Sequence, residues 1–567
     1  MGLRRLELAI PILAGAAILL AGLIGLPLAW LFRVSVAGTG GGGFTGANFA
    51  ALIEDPELLE PLLLSLGVAF AVALACAVVA APLAWLIARS DLPWKRAIRL
   101  LVLTSFVTPP FLGAIAWEIL AAPNSGLLNQ AYRQMLDLPR SEHAFNIYSI
   151  SGLVFVIATY TFPYVFILVV NGLERIPREL EEASAILGAR RWRTALRVTV
   201  PLGLPALLAG TLVAFLEAMN NFGAPAIIAI PAGLQTITTK IWTLFQFPPQ
   251  PGLAAAAAVP LLAVTIVLLQ VQQRLLGRRS YAVVGGKAGR PDIVRLGRWR
   301  LPALLFALAI VTVSVLMPYA ALVLSAFSRT LSVTLSPANL TIQHFTFVFA
   351  ELSGTKQALS NSLILGVTTA TAGTLLTLVI AYVVARRALP LWRWLGYLAT
   401  APIAIPSIVL GVGFFFAYTH PPFALYGTLA ILFLAFLTIE LPIGYQQFQA
   451  AFRSVHADLE EAGRILGAGR LRTLRDITAP LLWTAVVSTW CLVFVASIRE
   501  LSAAILLFTV DTKVLSVLIY DLNESGDPGA IAVVGLLMLL ITFVVIGIAY
   551  RLPRAGLQAR AAASEEG

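Results

Sequence analysis

Pro177 to Leu202 reads PRELEEASAILGARRWRTALRVTVPL, and His456 to Leu481 reads HADLEEAGRILGAGRLRTLRDITAPL, with 14 of the 26 aligned positions identical. The spacing is a constant 279 residues and no gap is needed, so Glu182 pairs with Glu461, Gly188 with Gly467, Arg193 with Arg472 and Pro201 with Pro480. A repeat of this kind means that the chain contains one structural unit twice. The halves also match upstream, where Ala88-Arg89 corresponds to Ala385-Arg386 and Pro109 to Pro406 at an offset of 297. The first half therefore holds 18 extra residues between the two sets of anchors. The polar stretch Pro123 to Ile147 is the place expected for them.

The unit is a membrane one. The chain has 567 residues, of which 59% are hydrophobic and 12% charged, with a mean hydropathy of +0.88, a balance that leaves a folded chain with an apolar exterior. Crossing roughly 30 Å of hydrocarbon takes about 20 helical residues. Twelve such stretches are predicted, at 8–33, 62–88, 97–121, 150–172, 200–221, 252–273, 301–326, 358–385, 394–418, 425–447, 480–500 and 531–550. The runs are continuous rather than alternating, which favours helices over a barrel. The first run, after Arg4 and Arg5, is longer than the apolar region of a secretory signal and is kept as a span. The fold class expected is an all-α polytopic membrane protein with two six-helix halves.

Basic residues orient the spans, because cytoplasmic loops retain Lys and Arg. With both termini inside, 31 of the 39 fall in cytoplasmic segments. The net charge of +11 is thus a topology signal; no basic-aromatic interleaving or binding module points to nucleic acid. Residues 274–300, RLLGRRSYAVVGGKAGRPDIVRLGRWR, carry eight Lys and Arg with several glycines and read as a cytoplasmic linker. The domain division is 1–273, linker 274–300, and 301–567. Six spans per half give both halves the same orientation, a parallel repeat with its pseudo-twofold axis along the membrane normal and a pathway between the halves. On the external side, Val34 to Glu60, with Glu54, Asp55, Glu57 and Glu60, and Leu501 to Asp527, with Asp511, Asp521, Glu524 and Asp527, are expected to form a solvated rim. A docking surface for an external partner is the alternative.

In the duplicated segment, Pro177 opens a helix whose first turns carry Glu179, Glu181 and Glu182, where the helix dipole favours negative charge. Leu180, Ala183 and Leu187 share a face, Gly188 breaks the run, and a second short helix with Arg190, Arg191, Arg193 and Arg197 leads to Pro201. A helix of about 11 residues is about 16 Å long, too short to span, so it lies at the cytoplasmic surface. Amphipathicity alone suffices for lipid contact; two copies with the same Glu-Glu-Ala, Leu-Gly-Ala and Arg-Thr imply a shaped partner met twice.

Glu182-Ala183-Ser184 with Gly188, and Glu461-Ala462-Gly463 with Gly467, resemble the EAA-x-x-x-G motif of the permease subunits of binding-protein-dependent ABC importers, including the later prolines Pro201 and Pro480. Ser184 and Gly463 replace the third-position alanine. The resemblance covers essentially the whole chain as two fused permease domains and implies that Glu181, Glu182, Ala183 and Gly188, with Glu460, Glu461, Ala462 and Gly467, form coupling helices seated in two copies of a cytoplasmic ABC ATPase. It also implies an external substrate-binding protein and an inner-membrane location. The chain has no G-x-x-x-x-G-K-[ST] loop, since Gly285-Gly286-Lys287 lacks the spacing and the following Ser or Thr. ATP and Mg are therefore expected on partner subunits, with no cofactor and no catalytic residue in this chain.

Charges within spans are costly, roughly 2.5 to 3.5 kcal/mol each on insertion scales, so Glu118, Glu217, Glu440, Arg499 and Glu500 become pathway or gate candidates. Asn220-Asn221 and Arg499-Glu500 are matched at the offset of 279. Two roles are open for them: an interhelical pair such as Arg499 with Glu500 that holds packing or gate closure, or direct substrate contact. Arg499-Glu500-Leu501-Ser502-Ala503 and Asn220-Asn221-Phe222-Gly223-Ala224-Pro225 resemble the ferric-iron importer permeases, which implies ferric iron as cargo; related permeases carry thiamine, polyamines or phosphonates. His143, His344, His420 and His456 are scattered and show no metal-ligand spacing, and Cys76 and Cys491 lie within spans as small packing residues. A secondary carrier driven by an ion gradient, with Glu118, Glu217, Glu440 and Glu500 as proton relays, is the rival reading. No Ser/His/Asp, paired-carboxylate or metal cluster supports a membrane enzyme.

Overall fold

The computed structural model describes residues 18–38, 43–277, 293–332, 336–387, 392–454 and 479–565, with isolated positions at 15 and between 458 and 477. These residues form helices and no strand beyond three isolated bridges. The first half runs through α1 (Ile18–Ser35), α2 (Ala47–Glu54), α3 (Pro56–Arg89), α4 (Lys95–Val107), α5 (Pro110–Ala121), α6 (Leu127–Leu136), α7 (Ile150–Glu174), α8 (Arg178–Ile186), α9 (Val200–Asn220), α10 (Gly223–Ile228), α11 (Ile237–Thr243) and α12 (Pro251–Gly277). The second half runs through α13 (Gly297–Phe327), α14 (Ser353–Ala385), α15 (Trp392–Ala404), α16 (Ser407–Tyr418), α17 (Leu429–Ser454), α18 (Ala479–Ile498), α19 (Ala504–Leu507), α20 (Leu515–Ser525) and α21 (Pro528–Glu565). Helices α14, α15 and α16 begin 297 residues after α3, α4 and α5, and α17 and α18 begin 279 after α7 and α9. The change of offset lies between α5 and α7. Twenty-eight residues, including α6, separate that pair, whereas ten separate α16 from α17.

Ten helices among the described residues are long and apolar enough to cross a membrane, and twelve if each of two bent pairs is one span. Those pairs correct the straight spans expected at 97–121 and 394–418. Helices α4 and α5 meet at 101°, and α15 and α16 at 107°. The break falls at Thr108-Pro109 and Ile405-Pro406, where all four residues are extended. A proline disfavours the helical region for the residue before it and donates no N–H.

The Leu501 to Asp527 segment is also not a solvated rim. Residues 503–507 and 514–520 are buried as α19 and α20, although Asp511 and Glu524 are exposed. The first half repeats the arrangement with α10 and α11, and one serine on each long helix fixes it: Ser65 Oγ accepts from Ile237 N, and Ser362 Oγ from Leu515 N, both at 2.8 Å.

Within each half the long helix packs on two others, α3 on α7 and α9, and α14 on α17 and α18. The first helix of each half lies on the other half. Helix α1 packs on α16, where Tyr418 Oη donates to Gly22 O at 2.8 Å and a Cβ on Gly413 would stand 2.8 Å from Pro27 O. Helix α13 packs reciprocally on α5, beside the 2.8 Å contact of Thr108 Oγ1 with Tyr319 Oη. This exchange interlocks the halves along a central seam.

Candidate functional site: twin levers and a charged seam

The duplicated segment builds a lever at one end of the molecule. Helix α8 has nine residues, shorter than the eleven expected, and carries Glu179 and Glu181 in its first turn. It stops because Gly188 takes φ +76°, a left-handed conformation that a Cβ disfavours. Leu187 N then donates to Ala183 O, and Ala189 N to Ser184 O, each at 3.1 Å. The chain reverses and Ser184 Oγ meets Thr194 Oγ1 at 2.9 Å. The second short helix, Arg191–Thr194, does not stop before Pro201 as expected. It continues through a π turn, Ala195–Thr199, into α9, so lever and span share one continuous helix.

The two glutamates of the motif are divided in role. Glu181 turns inward as a rivet: Arg89 Nη1 donates to its Oε2 at 3.0 Å, and Thr199 Oγ1 donates to its Oε1 at 2.8 Å. Arg89 is 1% exposed at the end of α3, and its Nη2 donates to Leu173 O at 2.7 Å and to Ile176 O at 3.3 Å. Glu182, Ala183 and Gly188 are on the outside, beside Ile186 and Leu187, which are 85% and 86% exposed. These two large apolar side chains are left uncovered by the described residues of this chain. Arg89 was not among the site residues that sequence reasoning selected. Its signal was the match of Ala88-Arg89 with Ala385-Arg386, which looked like an alignment anchor and is also a structural one.

In the second copy, Glu460 and Glu461 lie outside the described residues. Ala462 and Gly467 are exposed, Ile465 is 85% exposed, and Gly467 has φ +88°. The left-handed glycine is thus common to both levers.

The other candidate residues gather on the seam, with one exception. Glu118 stands apart in α5, where its Oε1 accepts from Tyr148 Oη at 2.6 Å. Burial, followed by the Glu118 charge, pushes the Tyr148 phenol above its ordinary range. Glu217 on α9, Glu440 on α17, and Arg499 and Glu500 after α18 are close enough to act on one another electrostatically. Arg499 Nη1 crosses from the second half to the first and donates to Phe106 O at 3.0 Å, with the guanidinium 5.7 Å from the centre of the Phe106 ring. Among the described residues no ion pair joins Arg499 to Glu500. Of the two roles left open, the interhelical one takes the form of a bridge from Arg499 to the α4–α5 bend.

Glu500 is occupied otherwise. Its Oε1 accepts from Ala503 N at 3.0 Å, and its carbonyl accepts from Ser516 Oγ at 2.8 Å. Asn221 does the same in the first half, accepting from Ala224 N at 3.0 Å and from Thr238 Oγ1 at 2.8 Å. Asn220 Oδ1 has no hydrogen-bond partner among the described residues.

The two halves thus repeat one helical arrangement on either side of a shared seam. The family described as binding-protein-dependent transport system inner membrane component matches residues 80–280 and 373–555. The chain belongs to this family. As a family member it is a multi-pass inner-membrane protein and a permease component. It is similar to the ferric transport system permease protein FbpB of Actinobacillus pleuropneumoniae, 26% identical over 444 residues, covering 78% of this chain and 63% of that protein. A putative ferric transport system permease protein, FbpB 1 of Haemophilus influenzae, is 26% identical over 412 residues, covering 72% and 64%. The chain therefore spans less than two thirds of the length of these two relatives. The molybdenum transport system permease protein ModB of Escherichia coli is 29% identical over 226 residues, 40% of this chain but 95% of that protein. A permease component of about one half's length accordingly exists as a separate polypeptide.

Proposed function

We propose that this chain is the permease subunit of an ATP-driven importer that receives ferric iron from an external binding protein and passes it to the cytoplasm. Residues 1–273 and 301–567 act as two permease domains tied by the 274–300 linker. The lever end faces the cytoplasm with both termini, in accord with the basic residues near it. Each lever, around Glu182 and Glu461, seats in one copy of an ATPase that carries ATP and Mg.

The observation that carries this reading is the lever itself: a short helix, ended by a left-handed glycine, with Ile186 and Leu187 exposed and Glu181 fixed to Arg89. A rigid element between two spans converts a partner's closure into movement of those spans. The cargo rests on the names of the ferric permeases that the chain resembles. The test is uptake into proteoliposomes containing this chain, its ATPase and its binding protein. Iron uptake that requires internal ATP is expected; uptake that persists without ATP under an imposed ion gradient contradicts the proposal and favours a secondary carrier.

A further inference from the structure

Helices α9 and α18 follow the levers and end at Asn220 and Ile498, so the segments after them lie at the far end of the seam, where the loop Gln246 to Gln250 is exposed. The residues that meet there across the halves are counterparts. The same serine bond starts α11 at Ile237 and α20 at Leu515, and the next residues, Thr238 and Ser516, donate to the carbonyls of Asn221 and Glu500. An offset of 278 relates both pairs, and it also relates Trp242 to Tyr520. The Trp242 and Tyr520 rings touch edge to face, with centroids 5.7 Å apart. A position that touches its own counterpart in a twofold arrangement stands on the axis. Phe222 and Leu501, matched at the offset of 279, cross in the same place. The Phe222 ring is 6.2 Å from that of Tyr520 and 6.1 Å from that of Trp242, and Leu501 Cδ2 would stand 3.4 Å from a Cβ on Gly223. Phe222, Leu501 and Tyr520 are buried, and Trp242 is partly buried.

We infer that Phe222, Trp242, Leu501 and Tyr520 are the outer gate of the central pathway, an apolar constriction that is shut in this structure and opens when the halves part. The inference rests on the importer reading and adds to it the residues that close the pathway on the side away from the levers. Rings that meet on the axis leave no passage along it, and an apolar constriction excludes water and ions by dewetting, without a specific contact to the cargo. The closure across the halves is made of ring edges and faces, so parting it strands no buried hydrogen-bonding group. The gate is also tied to the lever by the chain itself. The second short helix of the lever continues through the π turn into α9, and Phe222 comes two residues after the last residue of α9, Asn220. A movement imposed on the lever therefore reaches Phe222 through one helix.

The test uses the complete importer in proteoliposomes, with its ATPase and with binding protein loaded with radioactive ferric iron. In W242C/Y520C a short bifunctional thiol reagent is expected to link the halves in the resting complex, read as halves that stay joined after protease cuts the 274–300 linker. The yield is expected to fall about tenfold when the ATPase is closed on a non-hydrolysable ATP analogue with binding protein present. Cys76 and Cys491 are buried, and wild-type protein treated in the same way gives the background. W242A/Y520A removes the rings and is expected to lower the iron moved per ATP hydrolysed several-fold while hydrolysis continues, because cargo escapes through the unsealed end. W242F/Y520F keeps a ring at each position and is expected to retain that ratio, which separates closure from folding. A link that does not form at rest, or that forms equally in both states, overturns the gate while the importer reading stands. So does a wild-type ratio in W242A/Y520A, or a loss in W242F/Y520F equal to that of the alanine variant. A wild type with no ATP-dependent uptake overturns the importer reading and this inference with it.

Discussion

The levers and the seam are both built from repeated elements, but only the levers repeat their chemistry. Each lever combines Leu-Glu-Glu-Ala with a glycine of positive φ and an exposed isoleucine, Ile186 or Ile465. On the seam the backbone repeats while the side chains do not. Asn221 and Glu500 each accept from a backbone N–H three residues on, at 3.0 Å, and each carbonyl accepts a hydroxyl at 2.8 Å. The neighbouring positions diverge into Asn220 and Arg499. On the proposed function, levers that meet two identical partners must stay duplicated, whereas the seam between the halves is free to become asymmetric.

The largest effect is expected where this scheme buries a charge. E181A removes the carboxylate that Arg89 Nη1 and Thr199 Oγ1 both contact, at a cost of up to about 3 to 5 kcal/mol, and thermal unfolding of the purified protein should show a large fall in midpoint. Replacing both partners, R89M/E181M, should recover much of that loss, because an apolar pair leaves no uncompensated charge. A double variant no more stable than E181A removes the rivet from the account.

Symmetrising the seam is the next most informative change. R499N/E500N gives the second half the residues of the first, and Asn221 already shows that asparagine serves the same cap. Unfolding should shift little, within about 1 kcal/mol for a preserved cap, while ferric uptake by the reconstituted complex falls. Unchanged uptake erases the functional difference between the halves.

At the levers, G188V and G467V force a β-branched residue into a left-handed conformation, costing about 1 to 2 kcal/mol. Among the described residues nothing lies within 4 Å of a Cβ at either position, so the effect is conformational and should be similar in the two halves. Both variants should insert normally and lose uptake; transport by the two combined contradicts the coupling role. The smallest effect on folding is expected from I186S/L187S, within about 0.5 kcal/mol for exposed positions, with a measurable loss of ATPase binding.

The duplication carried much of the fold. The offsets of 279 and 297, read from motifs alone, reappear as helix starts, and the extra 18 residues fall between α5 and α7, where the polar stretch lies. The bends were not legible because prolines also sit inside unbroken helices here, Pro82 in α3, Pro163 in α7 and Pro442 in α17. What distinguishes Pro109 and Pro406 is an extended residue before each, a tertiary outcome. Glu217, Glu440, Arg499 and Glu500 were visible as charges in apolar runs; their meeting on one seam, and the absence of Glu118 from it, depend on how the halves dock. Arg89 and Glu181 are 92 residues apart in the chain, and no local pattern joins them. Arg386, Glu460 and Thr478 occupy the matching sequence positions of the second half, with the last two outside the described residues.

On the proposed function, one chain presents two equivalent levers to two motors. Native mass spectrometry of the complex purified through this chain tests it most directly. One copy of this chain with two copies of one ATPase is the expected assembly, losing ATPase when both levers carry I186S/L187S and the matched I465S/L466S. A chain that purifies without any ATPase, or retains both copies after those substitutions, contradicts the account.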